Sequence, residues 1–195
     1  NTDGIIEMEN TTIESFSTSS GYIAKNASQN NLQTYTDLWN NTSNKTEVSN
    51  LSLQSGVYYI NGNFVLNNLP NGFSTIDFSQ VLFINGDLTI NTNMPITKNS
   101  ALVLIVKGDV KISKNVTNID SVILSDQNIY TAYENTANET AQQLTIRGLI
   151  SANKINFQRR VTDNTIPGEY LIYEPKYLFK IKEYLKKVQV DWLQR

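Results

Sequence analysis

Three aspartates carry the clearest chemical potential in this sequence. Asp87 and Asp109 each follow a glycine in copies of one pattern, Asn85-Gly86-Asp87 and Lys107-Gly108-Asp109, and Asp126 is placed next in the same series. Aspartates at one corner of successive stacked coils would lie about 4.8 Å apart, one strand spacing. Carboxylates so placed bind Ca²⁺ through oxygen, or act as an acid–base pair on a glycosidic bond. Asp after Gly is equally ordinary turn chemistry, and Asn63 stands in for the aspartate in the first copy. Ca²⁺ is the one cofactor these residues suggest.

Arg147, Arg159 and Arg160 form a second group. Guanidinium forks bind anionic sugars or phosphates bidentately, or pair with carboxylates such as Glu169 and Glu174 and pin a tail. A third group is aromatic. Tyr130 and Tyr133 flank a polar stretch and are the better candidates for exposed contact residues; Trp39, Tyr58, Tyr59 and Trp192 suit sugar stacking or core packing. Ser151-Ala-Asn-Lys154 has the Ser-x-x-Lys spacing of penicillin-interacting enzymes, but its serine falls in a strand pattern and no Lys-Thr-Gly follows. With no Cys and no His in 195 residues, disulfides, Cys- or His-based metal sites and Ser-His nucleophile systems are excluded.

The elements that must position these groups come from an internal repeat. Val57-Tyr-Tyr-Ile-Asn-Gly-Asn-Phe-Val-Leu66, Val81-Leu-Phe-Ile-Asn-Gly-Asp-Leu-Thr-Ile90 and Val103-Leu-Ile-Val-Lys-Gly-Asp-Val-Lys-Ile112 share one pattern, with weaker copies at 122–129 and 149–157. Aligning Gly62, Gly86, Gly108, Asp126 and Ala152 gives spacings of 24, 22, 18 and 26 residues. A period near 20 with strand-like halves predicts a mainly β fold, a short parallel β-solenoid of about five coils. The alternative is an antiparallel β-sandwich, because Asn61-Gly62 and Asn85-Gly86 are strong hairpin signals. The unbroken apolar run Leu102–Val106, which reads as a strand covered on both faces, favours the solenoid.

The flanks read as helical. Leu32, Tyr35, Leu38 and Trp39 recur at helical intervals behind a Ser28 cap, and a stripe from Tyr177 to Val188 follows Pro175. One domain results: 1–50 an N-terminal segment whose helix packs on the solenoid, 51–160 the coils with a loop excursion at 130–143, and 161–195 a tail with a capping helix. Loops at 67–79, 91–101 and 130–143 are expected to project and supply specificity. Residues 1–25 show no period beyond room for a short strand.

Charge and composition narrow the setting. The net charge of −2 and pI near 5.2 argue against nucleic-acid binding, and no apolar run is long enough to span a membrane. The chain begins without Met and reads as a mature or trimmed fragment. Residues 154–195 carry nine basic and five acidic side chains, against seven and thirteen before them; the solvated face of the C-terminal helix accounts for this. Asparagine (26) and threonine (19) fill the place of charge, which suits an extracellular surface, and the eight Asn-x-Ser/Thr sequences follow from that composition.

The segment from about 56 onward resembles a family of short β-solenoid surface proteins of the Patescibacteria, or Candidate Phyla Radiation. The resemblance rests on Val81–Ile90, Ile105–Ile112, Leu144–Ala152, Phe157-Gln-Arg-Arg160 and Pro167-Gly-Glu-Tyr-Leu-Ile-Tyr-Glu-Pro-Lys-Tyr-Leu178, where the family often has Pro-Ala-Glu. It implies a secreted or surface-anchored solenoid associated with pili, and carries no catalytic residues. A fainter similarity runs to bacterial ice-binding solenoids, although Thr89, Thr92 and Thr145 build no obvious ice-binding ladder. The expected function is therefore non-enzymatic: an extracellular adhesion or appendage domain whose partners are a host-cell or cell-wall glycan or protein, or other appendage subunits. The alternative is a carbohydrate-active or sugar-binding β-helix using the stacked aspartates.

Overall fold

A computed structural model describes residues 8–9, 26–27, 34–134, 141–162 and 165–184. After β1 (Met8–Glu9) and β2 (Asn26–Ala27), which pair parallel, come helix α1 (Thr34–Asn41) and β3 (Thr46–Glu47). Five strand pairs follow: β4 (Gly56–Ile60) with β5 (Phe64–Leu66), β6 (Ser79–Ile84) with β7 (Leu88–Ile90), β8 (Ala101–Val106) with β9 (Val110–Ile112), β10 (Asn118–Ser125) with β11 (Asn128–Tyr130), and β12 (Leu144–Ser151) with β13 (Lys154–Asn156). The described chain closes with β14 (Glu169–Tyr173) and helix α2 (Lys176–Ile181).

The two members of each pair belong to different sheets. One sheet has the order β14-β12-β10-β8-β6-β4-β3 and the other β13-β11-β9-β7-β5. Every pairing among the described residues is parallel, and from β4 to β14 each strand's neighbours lie one coil away in sequence. This is a parallel β-solenoid of about five turns, and the sandwich alternative falls. The Asn-Gly pairs that signal hairpins are corners here: Asn61-Gly62 joins β4 to β5 across two sheets.

Alternation along each strand builds two cores. Leu82, Ile84, Leu102, Leu104 and Val106 point inward and meet Leu88, Ile90, Val110 and Ile112 of the smaller sheet. Val81, Phe83, Val103 and Ile105 point outward, where a bare sheet would expose them, and are covered by Tyr35 of α1 and by Tyr177 and Ile181 of α2. Both helices thus lie along the larger sheet, which explains why all six residues of β8 are buried. Pro175 sits at the N-cap of α2 with φ −64, ready for the helical turn. Ser28, Leu32, Leu185 and Val188, invoked for longer helices, and the aromatic candidate Trp192 lie outside the described residues.

Close approach of the coils explains two glycines. A Cβ on Gly108 would stand 2.2 Å from Asp87 Oδ1, and one on Gly148, whose φ is +149, would stand 1.9 Å from the Ser121 carbonyl oxygen. The loops expected to project at 67–79 and 91–101 instead send Phe73, Phe78 and Met94 into the core. Of the excursion at 130–143, Thr131 and Ala132 are fully buried, and 135–140 lie outside the described residues.

Candidate functional site

The predicted aspartate column exists in part. Asn63, Asp87, Asp109 and Asn128 follow one another in register, set by the pairing of β5, β7, β9 and β11. Asn63 Oδ1 accepts the Asp87 N–H at 2.8 Å, Asp87 Oδ1 accepts the Asp109 N–H at 3.0 Å, and Asp109 Oδ1 accepts both the N–H and the Nδ2–H of Asn128 at 3.0 and 2.9 Å. The Lys111 ammonium takes the second Asp87 oxygen at 3.0 Å. That hydrogen bond, opposed by partial burial, holds the Asp87 carboxyl below its usual value and raises Lys111. The side chains run along the solenoid axis and cap the next coil's turn.

Asp126 is not the next rung. Its place is two residues earlier, opposite Lys107, because Ser125 pairs with Val106 and Asn128 takes the Asp109 position. Asp126 Oδ1 instead accepts the N–H of Tyr35 at 2.9 Å and so ties the start of α1 to the solenoid. Among the described residues, no three acidic side chains converge.

Arg159 is likewise turned inward. Its side chain donates to four backbone carbonyls: Nε to Thr131 at 2.7 Å, Nη1 to Lys114 at 3.1 Å and Gln142 at 2.6 Å, and Nη2 to Ser113 at 2.8 Å. Burial pulls it down to about 10, against the pull of Glu169 and Glu134, and it stays protonated at neutral pH. Glu169 meets the Arg159 backbone N–H at 3.1 Å and the Thr131 hydroxyl; burial raises its carboxyl despite those bonds. The Arg159 side chain thus holds the turns at 113–114 and 131–142, and Glu169 of the tail meets its backbone N–H. Arg147 pairs with buried Asp120 at 3.1 Å, and Glu174 pairs with Lys176, so neither Arg147 nor Glu174 joins the Arg159 clasp.

Tyr130 and Tyr133 lie on the smaller sheet's side. Tyr130 stands in register between Lys111 and Asn156, half-buried, and exposed Tyr133 donates a long hydrogen bond, 3.4 Å, to Asn91 Oδ1. Thr89 and Thr145 fall on different sheets, so they cannot share a ladder.

A cleft of about 390 Å³ lies elsewhere, between α1 and the corner where the larger sheet ends. One wall is Tyr35, Thr36 and Trp39; the other is Tyr59 with Asn61, Asn85 and Lys107 on three successive coils. Trp39 stacks on Tyr35 at 5.8 Å and meets the rings of Tyr59 and Phe83 near right angles at 5.3 and 5.4 Å. Lys45 holds it from its own loop, 4.3 Å over the ring and 2.9 Å from its carbonyl oxygen. The opposite wall is a polar chain: Asn85 Nδ2 donates to Asn61 Oδ1 at 3.1 Å, and Lys107 Nζ donates to Asn85 Oδ1 at 3.1 Å. Burial, then the nearby Asp126 carboxylate, pushes the Tyr35 hydroxyl up to about 12, so this aromatic wall is uncharged at neutral pH.

Trp39 and Tyr59 were readable as aromatic candidates. Asn61, Asn85 and Lys107 were not singled out; the 24- and 22-residue spacing that stacks them was the available signal. Fold and flank together define a short parallel β-solenoid with an aromatic–amide cleft under its N-terminal helix. No family model, no curated protein and no solved structure matches the chain.

Proposed function

We propose that this chain is a non-enzymatic recognition domain of an extracellular surface or appendage protein, a rigid solenoid that contributes to adhesion or to assembly of the appendage. The observation that carries the reading is the open cleft beside α1, a concavity between the helix and side chains from three successive coils. The groups that suggested chemistry are engaged in holding the scaffold: Asp87 and Asp109 cap turns, and Arg159 clasps carbonyls. The Asn/Thr-rich composition suits the extracellular setting.

The test uses the purified chain, fluorescently labelled, on host cells and on whole cell-wall glycans, with and without EDTA. Saturable binding that EDTA does not alter is expected. Saturable binding abolished by EDTA would restore the aspartates as a calcium site. Absence of binding by a folded sample would overturn recognition as this domain's role.

A further inference from the structure

We infer that the chain forms a two-fold dimer through the open edge of β14, which pairs antiparallel with its own copy about Leu171. The inference concerns the last coil of the solenoid and does not depend on what the cleft holds.

The larger sheet outruns the smaller one. Among the described residues, β14 has β12 on one side and no strand on the other, and the smaller sheet stops at β13 with no strand facing β14. Leu171 and Tyr173 stand in register with Ile146 and Gly148 on the inward side. Ile146 is buried in the core, whereas Leu171 and Tyr173 are 40% and 51% exposed. Tyr170, on the outward side, is 52% exposed. The other sheet edges are blunted. β3 has two residues and carries Glu47; β5 and β13 have three each, and β13 begins with Lys154. β14 has five, with no charge and no proline from Tyr170 to Tyr173. An apolar edge of this kind templates a further strand. At the first coil β3 already lies beyond β4, and Val48, Leu51 and Leu53 after it pack on the core. A head-to-tail stack would have to displace them, so a closed pairing of like ends is favoured.

The backbone sets which residues can pair. The Glu174 N–H donates to Gly148 and the Leu144 N–H donates to Gly168, so the even-numbered residues of this stretch turn their backbone groups to β12. Glu169, Leu171 and Tyr173 therefore turn theirs to the open edge. A two-fold axis through Leu171 opposes it to the partner's Leu171, and Glu169 to the partner's Tyr173. These are hydrogen-bonded pairs, about six backbone bonds in all. Tyr170 meets the partner's Ile172 in the closer pairs between them, an aromatic ring against a β-branched side chain. Such an axis keeps the inward faces together, so the exposed Leu171 and Tyr173 of both copies share one face.

Charge and proline select this register. Glu169 faces a tyrosine and Glu174 faces the partner's Gly168, so no carboxylate opposes another. Pro167 and Pro175 lie four residues to either side of Leu171 and fall opposite each other at the ends of the pairing. A shift by two residues sets Pro167 against the partner's Tyr173, or Pro175 against the partner's Glu169, where an N–H donor is needed.

The test is sedimentation equilibrium of the whole chain over a concentration series. A species of twice 22.0 kDa is expected. Leu171→Lys sets two ammonium groups against each other on the axis, and should return the chain to monomer with the parent's circular-dichroism spectrum. Leu171→Cys, in a chain with no other cysteine, should cross-link on oxidation into a disulfide dimer. The Cα atoms of a hydrogen-bonded pair lie about 5.5 Å apart, within disulfide range. Phe179→Cys, exposed on α2 where that helix packs over β6, β8 and β10, should not cross-link. Should Leu171→Lys fail to fold, the two cysteine variants decide. A monomer throughout the series, a dimer that survives Leu171→Lys, larger species growing with concentration, or cross-linking through Phe179→Cys in place of Leu171→Cys would each overturn the inference.

Discussion

Asp87 Oδ1 accepts the backbone N–H of Asp109 at 3.0 Å, so the carboxylate of one coil caps the turn of the next. The relationship makes the column a line of turn caps, and it orders the substitutions. Asp87→Asn keeps an acceptor for Asp109 and loses the pair with Lys111; Asp87→Ala loses both. The pair is about one-third exposed on each side, so Asn should cost under about 1 kcal/mol after solvent screening. Ala should cost about 1 kcal/mol more, in line with the loss of a capping acceptor. Urea denaturation of the three proteins checks the order.

The same pair sets an acid limb. Asp87 titrates lower in the folded chain than in the unfolded one, so the unfolded state binds more protons as pH falls. Its contribution is present above the ordinary aspartate value near 3.8 and is lost as pH falls through the depressed folded value. Stability measured from pH 6 downward should therefore fall less steeply in Asp87→Asn than in the parent. Equal slopes would show that the pair does not form in solution.

Loss of the Arg159 side chain should loosen the excursion after β11. Arg159→Met leaves the carbonyls of Ser113, Lys114, Thr131 and Gln142 without their donor in a largely buried setting. Removing one partner of such a buried charged network costs about 3–5 kcal/mol. Lysine cannot replace the planar fork and should recover only part of it. Limited proteolysis should then cut within 131–143 in Arg159→Met before it cuts the coils. An unchanged digestion pattern would remove the clasp role.

Gln80 invites the opposite result. It lies on the inward side of β6 with Leu82, fully buried, and neither of its amide atoms has a hydrogen-bond partner. A buried amide without partners costs about 1–3 kcal/mol. Gln80→Met keeps the length and removes the polar atoms, so it should raise stability by an amount of that order. A fall in the denaturation midpoint would show that the amide is satisfied by a group inside the core.

These cases divide what was legible from what was not. The coils could be read because apolar alternation and a corner glycine recur together, and β8 declared its two covered faces by being apolar throughout. The register failed at the fourth corner, where Ser125-Asp126-Gln127-Asn128 has no glycine and the coil is shorter, so Asp126 was aligned with Gly108 and Asn128 passed over. Arg159 was read as a partner for Glu169 or Glu174, but its side chain binds the backbone carbonyls of 113, 114, 131 and 142, which carry no side-chain signature. The cleft needs two facts at once, the stacking of Asn61, Asn85 and Lys107 and the resting place of α1; a hydrogen bond from the Tyr35 N–H to Asp126, 91 residues away, fixes the second.

Helix α2 provides the last test, because it closes the outer core. Tyr177 and Ile181 are buried against the outward face of the larger sheet, whose apolar side chains include Phe83, Val103 and Ile105. Ile181→Ala should cost about 2–5 kcal/mol, the usual range for a buried isoleucine, and should raise binding of an apolar dye. Tyr177 adds a pH signature. Burial, with Asp120 and Glu174 nearby, pushes its hydroxyl up to about 12. Between the ordinary tyrosine value near 10 and that value the unfolded chain ionises first, so stability falls as pH rises through this window. Tyr177→Phe removes that group's share of the loss, and its curve should be flatter than the parent's from pH 10 to 12. Absorbance titration near 295 nm should lose one late-ionising tyrosine in the same variant. A parent-like alkaline curve for Tyr177→Phe would mean that α2 leaves the sheet in solution.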